Sequence, residues 1–280
     1  MMISAMNLEA LRVDLTRATL HIWLSRPESR NAMSLQMVAE LRQVLEQAEA
    51  TKGQSDAVRA IVLRGEGGHF CAGADLKDMA AARMRAMQGS AQDGGAEDPI
   101  AEVNAAFGEL CVAYARTPLA VVAVLEGTVM GGGFGLACVA DVAIASETAK
   151  FRLPETSLGV VPAQIAPFLV ERLGYSQAKR LAVTGGRLDA AAALRLGLVH
   201  SVVATADLQR ELETVLTDIL ACAPGALGAT KALMAQARLR APQDLVHEAA
   251  AVFSQAAQGP EGLEGMTAFI QKRKPQWAMP

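Results

Sequence analysis

Residues 129–137 read VMGGGFGLA, and no other stretch constrains the chain as strongly. They sit inside PLAVVAVLEGTVMGGGFGLACVADVAIA, a run apolar enough to be packed core. Four glycines in five positions should weaken any helix or strand. Bare backbone belongs where the chain turns sharply or lets something approach closely. A second segment follows the same plan: FCAGADL at 70–76 comes after a short apolar run at 60–64 and before a helical pattern. The first turn of each following helix offers N–H groups without internal partners, at the end of the dipole that favours negative charge. Each segment alone fits a tight turn in a crowded core. Convergence of the two would let two backbone N–H groups hold one developing oxyanion, each lowering a barrier by about 3–4 kcal/mol.

Around these turns the pattern predicts alternating strands and helices. Residues 11–24 alternate and break at Ala18-Thr19, a hairpin. SRPESRN at 25–31 is a turn. Residues 34–50 carry a helical face of Leu35, Val38, Leu41, Val44, Leu45 and Ala48, with Ser34 as N-cap. Residues 60–64 and 119–125 are buried strands, 100–116 and 134–140 helices, and 142–145 a strand. The Ala/Met-rich and then Gly/Asp/Ser-rich residues 79–100 are expected to form a mobile surface loop, whose methionines would also suit a flexible wall for an apolar ligand. From 207 onward only helices are expected, broken at 223–225 and 241–242. This predicts an α/β core over 1–205 and a C-terminal helical region over 206–280 that packs against another subunit.

Several function classes lose support. The net charge of −3 lacks the basic surface that drives nucleic-acid binding. The four cysteines have no metal-type spacing, nor do the four histidines, so no metal is expected. The uncharged run at 127–140 is shorter than the roughly 20 residues a membrane span needs. With no secretory pattern at the start, a cytoplasmic protein is expected. Dinucleotide and ATPase phosphate motifs are absent, and Gly174-Tyr175-Ser176-Gln177-Ala178 lacks the last glycine of a hydrolase elbow.

Five segments in order carry a resemblance: SRPESRNAMS, HFCAGADLKDM, GTVMGGGFGLACVADVAIA, FRLPETSLGVVP and EGMTAFIQKRKPQW. Together they resemble the enoyl-CoA hydratase/isomerase (crotonase) superfamily over nearly the whole length. The resemblance implies a ββα spiral core with a C-terminal helical trimerisation region. It implies an acyl-CoA thioester as substrate, with no cofactor beyond the coenzyme A that the substrate brings, and a homotrimer or dimer of trimers. The oxyanion donors fall on the N–H groups of Ala74 and Gly132. Contacts to the CoA-bearing substrate fall on Asn31, Ala32, Ala72 and Gly133, and on Phe269 and Lys272 reaching a neighbouring subunit's site.

The acids are where this chain departs from the family. Two-acid hydratases place one glutamate two residues after the glycine triplet, and here that position is Gly135. The other falls on Glu155, which the resemblance makes the sole catalytic acid–base. As a residue alone, Glu155 equally fits a helix-start glutamate after a proline. One carboxyl suffices for hydration if it takes a proton from water and returns it to C2; it also suffices for Δ3,Δ2 isomerisation. VPAQIAPF at 161–168 replaces the family's glycine-rich segment and resembles a subgroup hydrating branched glutaconyl-CoA thioesters, isohexenylglutaconyl-CoA among them. Gln164 could orient the water in place of the missing acid, or simply cap loop backbone. A glutaconyl carboxylate would need a cation, with Lys77, Arg83 and Arg85 the candidates. A non-catalytic acyl-CoA or RNA binder is the third alternative.

Overall fold

A two-stranded hairpin starts the fold. β1 (Leu11–Thr16) and β2 (Thr19–Leu24) pair antiparallel across Arg17 and Ala18, whose φ values of 49° and 61° give the turn the twist a tight hairpin needs. A single turn of 3-10 helix at Pro27–Ser29 leads to α1 (Leu35–Ala50), where the Ser34 side chain accepts a hydrogen bond from the Met37 N–H. The computed structural model describes residue 3 and residues 6–54, 56–89 and 98–278.

β3 (Ala60–Gly65) runs parallel to β2, and α2 (Leu76–Gly89) follows it. The expected loop over 79–100 is therefore helix as far as Gly89. The run AAARMRAM consists of good helix formers, and Ala82 gives the helix a buried anchor. The Gly/Asp/Ser part of that expectation, 90–97, lies outside the described residues. α3 (Pro99–Arg116) begins with Pro99 in its first turn and Asp98 as cap.

β4 (Ala120–Leu125), β5 (Thr128–Met130), α4 (Gly132–Val139), β6 (Val142–Ser146) and β7 (Lys150–Arg152) then alternate quickly. α5 (Ala166–Thr184) carries a kink at Gly174, where φ is 72°. β8 (Arg187–Asp189), α6 (Ala190–Arg195) and β9 (Ser201–Val203) complete two sheets. The larger has the order β1-β2-β3-β4-β6-β9 and is parallel beyond the hairpin; the smaller has the order β5-β7-β8. The main core lies on one face of the large sheet, against α1, α3, α4 and α5.

Four helices end the described chain: α7 (Leu208–Ala221), α8 (Pro224–Ala237), α9 (Pro242–Gln258) and α10 (Pro260–Ile270). α7 packs Leu208 and Leu212 onto Val62, Val122, Val124 and Ile144, covering the second face of the large sheet. The first helix of the C-terminal region is thus a layer of the core. α8 to α10 bury little: Leu245 and Ala268 are buried, while Phe253, Phe269 and Ile270 are exposed. Arg59 ties this region down by donating to the carbonyls of Leu220, Cys222 and Trp277. Among the described residues no single helix is long and apolar enough to cross a membrane.

Candidate active site

The two glycine turns lie side by side. The Cys71 N–H donates to Thr128 O at 3.0 Å, the Met130 N–H donates to Cys71 O at 2.9 Å, and Cys71 and Val129 form a parallel bridge. Two residues on, the backbones touch: a Cβ on Gly131 would stand 3.4 Å from Gly73 Cα. Both glycines have positive φ, 100° at Gly73 and 48° at Gly131. Only glycine adopts such turns without strain. The next residues in this shared register are Ala74 and Gly132. Among the hydrogen bonds of the described residues neither of their N–H groups has an acceptor, and neither residue is buried. Gly133 lets α4 approach this point, since a Cβ there would come within 2.7 Å of Cys71 O.

The same crossing receives a carboxylate. Glu155 opens the single 3-10 turn after β7, and its Oε1 lies 3.2 Å from where a Cβ on Gly131 would be. Its Oε2 is buried without a hydrogen-bond partner. Burial raises its pKa above the ordinary glutamate value, opposed by a hydrogen bond from its own backbone N–H. A carboxylate held near two unfilled N–H groups, with its basicity raised, can move a proton at a carbon whose negative charge passes to an oxygen on those donors. Cys71, also at the crossing, is fully buried, and burial pushes its thiol up to about 11, away from the thiolate form.

The absent acid has a structural counterpart. A Cβ on Gly135 would stand 2.4 Å from Ile165 Cγ2 and 3.4 Å from Phe107 Cζ. The place of a side chain at 135 is thus filled with hydrocarbon. Gln164 does not hang free in its loop. Its Nε2 donates to Asn104 Oδ1 at 2.8 Å, and its amide lies where a side chain on Gly108 would be. Phe107, Asn104 and Ile165 escaped the sequence reading. The signal was Gly108, an isolated glycine inside a helical pattern, which marks a close approach.

The other named residues sit apart in different ways. Asn31 is fully buried with a left-handed φ of 56°; its Nδ2 donates to Glu66 O and His69 O, and its Oδ1 accepts from the Arg26 N–H. Its side chain holds the loop together. Ala32 accepts from Arg26 Nη1, and the Ala72 N–H donates to Arg30 O, so the 25–33 turn is stitched to the first glycine segment. Lys77, Arg83 and Arg85 are exposed on α2, and the Lys77 N–H donates to Asp75 Oδ1. Phe269, 86% exposed, and Lys272 stand on the surface at the end of α10, outside the cluster around Glu155.

The site is thus a crossing of two glycine turns in an α/β fold, with a carboxylate of raised pKa beside it. Residues 16–280 match the family model described as enoyl-CoA hydratase/isomerase, and the chain belongs to that family. Its architecture is the crotonase fold. It is 34% identical over 275 residues, 97% of this chain and 99% of the relative, to the "Probable enoyl-CoA hydratase echA8" of Mycobacterium tuberculosis. Among solved structures it resembles Pseudomonas aeruginosa AtuE, with 50% identity, a TM-score of 0.89 and coverage of 97% and 100%. It also resembles an enoyl-CoA hydratase/isomerase from Marinobacter aquaeolei, with 48% identity, a TM-score of 0.88 and coverage of 96% and 99%.

Proposed function

We propose that this chain hydrates the 2,3 double bond of an enoyl-CoA thioester with Glu155 as its single acid–base. The observation that carries the reading is the placement of the Glu155 carboxylate, raised in pKa and with one oxygen unpartnered, at the crossing of the two glycine turns. The Ala74 and Gly132 N–H groups take the thioester oxygen. Glu155 accepts a proton from water while the water oxygen bonds to C3. The C2–C3 π electrons move to C2 and the thioester oxygen, forming the enolate. Glu155 then delivers its proton to C2, leaving the 3-hydroxyacyl thioester and the carboxylate restored. Gln164, held on α3 by Asn104, orients the water in place of a second acid.

The substrate we favour is a branched glutaconyl thioester such as isohexenylglutaconyl-CoA, in the breakdown of acyclic terpenes. The segment at 161–168 and the hydrocarbon filling at Gly135 support this choice. One of Lys77, Arg83 and Arg85 would face its free carboxylate. Asn31, Ala32, Ala72 and Gly133 would line the CoA path through their backbone. Phe269 and Lys272 would complete a neighbour's site in a cytoplasmic trimer or pair of trimers. The second reading is Δ3,Δ2-enoyl-CoA isomerisation by Glu155 alone, favoured by the glycine at 135.

Mass spectrometry of isohexenylglutaconyl-, 3-methylglutaconyl-, crotonyl- and 3-hexenoyl-CoA incubated with the pure protein separates these readings. A product heavier by one water from the branched glutaconyl thioesters, lost in Glu155→Gln, is expected. Unchanged mass with a moved double bond means isomerase, and no change in any thioester sinks both. Gln164→Ala should lower kcat more than it raises KM; unchanged kcat would remove Gln164 from the mechanism.

A further inference from the structure

One aromatic ring rests on two bare positions of α4. A Cβ on Gly132 would stand 3.2 Å from Phe107 Cζ, and one on Gly135 would stand 3.4 Å from the same atom. These residues are three apart on a helix and so share a face. The ring tip therefore lies along the side of α4 that begins at the Gly132 N–H. Phe107 is half-buried, so part of the ring remains open. Ile165 stands beside it over Gly135. Its neighbour Gln164 is clasped by Asn104, one turn before Phe107 on α3, and rests on Gly108. Residues 104, 107 and 108 of α3 thus seat both the ring and its brace.

We propose that Phe107 determines acyl specificity, its ring tip forming a hydrocarbon wall for an alkyl substituent on the acyl carbons next to the thioester. This rests on the reading of Gly132 as a donor to the thioester oxygen. An oxygen held there places the carbonyl carbon over the first turn of α4. The next carbons then run along the helix face towards Gly135, where the neighbours are the Phe107 tip and the Ile165 methyl. An alkyl group gains there by leaving water. A polar group there would be desolvated against carbon.

The test uses saturated thioesters, which the protein cannot turn over. Calorimetric titration of the full chain compares butanoyl-CoA with 3-methylbutanoyl-CoA. The branched thioester should bind about fourfold more tightly, the factor for one buried methyl group. Phe107→Ala should bring the two affinities together, while Phe107→Leu, which keeps an apolar wall, should retain part of the difference. Free CoA, titrated into each variant, reports that the fold and the CoA path are intact. Equal affinities in the unmodified protein overturn the proposal, as does a preference that survives Phe107→Ala with CoA binding unchanged. Failure of both thioesters to bind overturns the thioester reading of the site, and the wall falls with it.

Discussion

Glu155 sits in an environment that opposes its charge, and the consequences can be measured in two ways. Its folded-state pKa is raised, so its contribution to stability is full while it is protonated and is lost as pH rises through that value. Glu155→Gln should therefore melt higher than the unmodified protein near neutral pH, with the gap closing on acidification. The same substitution should lower turnover by about 10²–10⁴-fold, the usual contribution of a positioned acid–base. The acid limb of kcat/KM in the unmodified protein should fall above the ordinary glutamate range. At Gly135 the issue is space. Gly135→Ala forces a Cβ into the Ile165 methyl and should cost about 1–3 kcal/mol. Ile165→Ala opens a cavity of its own, but the double variant should be more stable than the sum of the two losses predicts. Additive losses in chemical denaturation would show that the two side chains do not compete.

α4 is the element most exposed to error, because it is buried nearly all round. Its C-terminal carbonyls need partners, and Arg172 of α5 supplies them, donating to Ala137, Cys138 and Ala140. His200 closes the arrangement: its Nδ1 accepts from the Ala143 N–H and its Nε2 faces Arg172. Burial, then the Arg172 charge, lowers the His200 pKa. This group stabilises the fold above the unfolded value near 6.5, and that contribution is lost as pH falls through the folded value. Urea midpoints should drop between pH 7.5 and pH 5, and drop less in His200→Gln. An equal drop in both would assign the acid sensitivity elsewhere. At this scale much was legible in the sequence. Alternation gave the hairpin, a cap residue gave the start of α1, and apolar runs gave β3, β4 and β6. The small sheet was not legible, since strands of three residues such as β5 and β7 carry no measurable period. α2 was misread because its Ala/Met helix runs directly into turn-forming residues.

As a whole molecule the chain leaves its last three helices poorly covered. Phe253, Met266, Phe269 and Ile270 are all more than half exposed, and burying them against a neighbouring subunit would take apolar area out of water. Sedimentation at micromolar concentration should show a trimer or hexamer, and replacing Phe253 and Ile270 with glutamate should yield smaller species. A monomer in the unmodified protein would refute the shared site assigned to Phe269 and Lys272. The candidate site was legible where single motifs carried it: the two glycine turns and the Pro-Glu pair meet at one crossing. Its apolar side was not, because Phe107, Gly135 and Ile165 meet only after the chain has folded. The parallel pairing of the two turns has a consequence for inheritance. Both candidate oxyanion donors are main-chain groups, and main-chain bonds hold them in register. A point mutation can erase the carboxylate of Glu155, but replacing a side chain does not delete an N–H unless it introduces proline. Single base changes in a gene of this kind therefore remove the carboxylate at this crossing far more readily than they remove the paired main-chain N–H groups beside it.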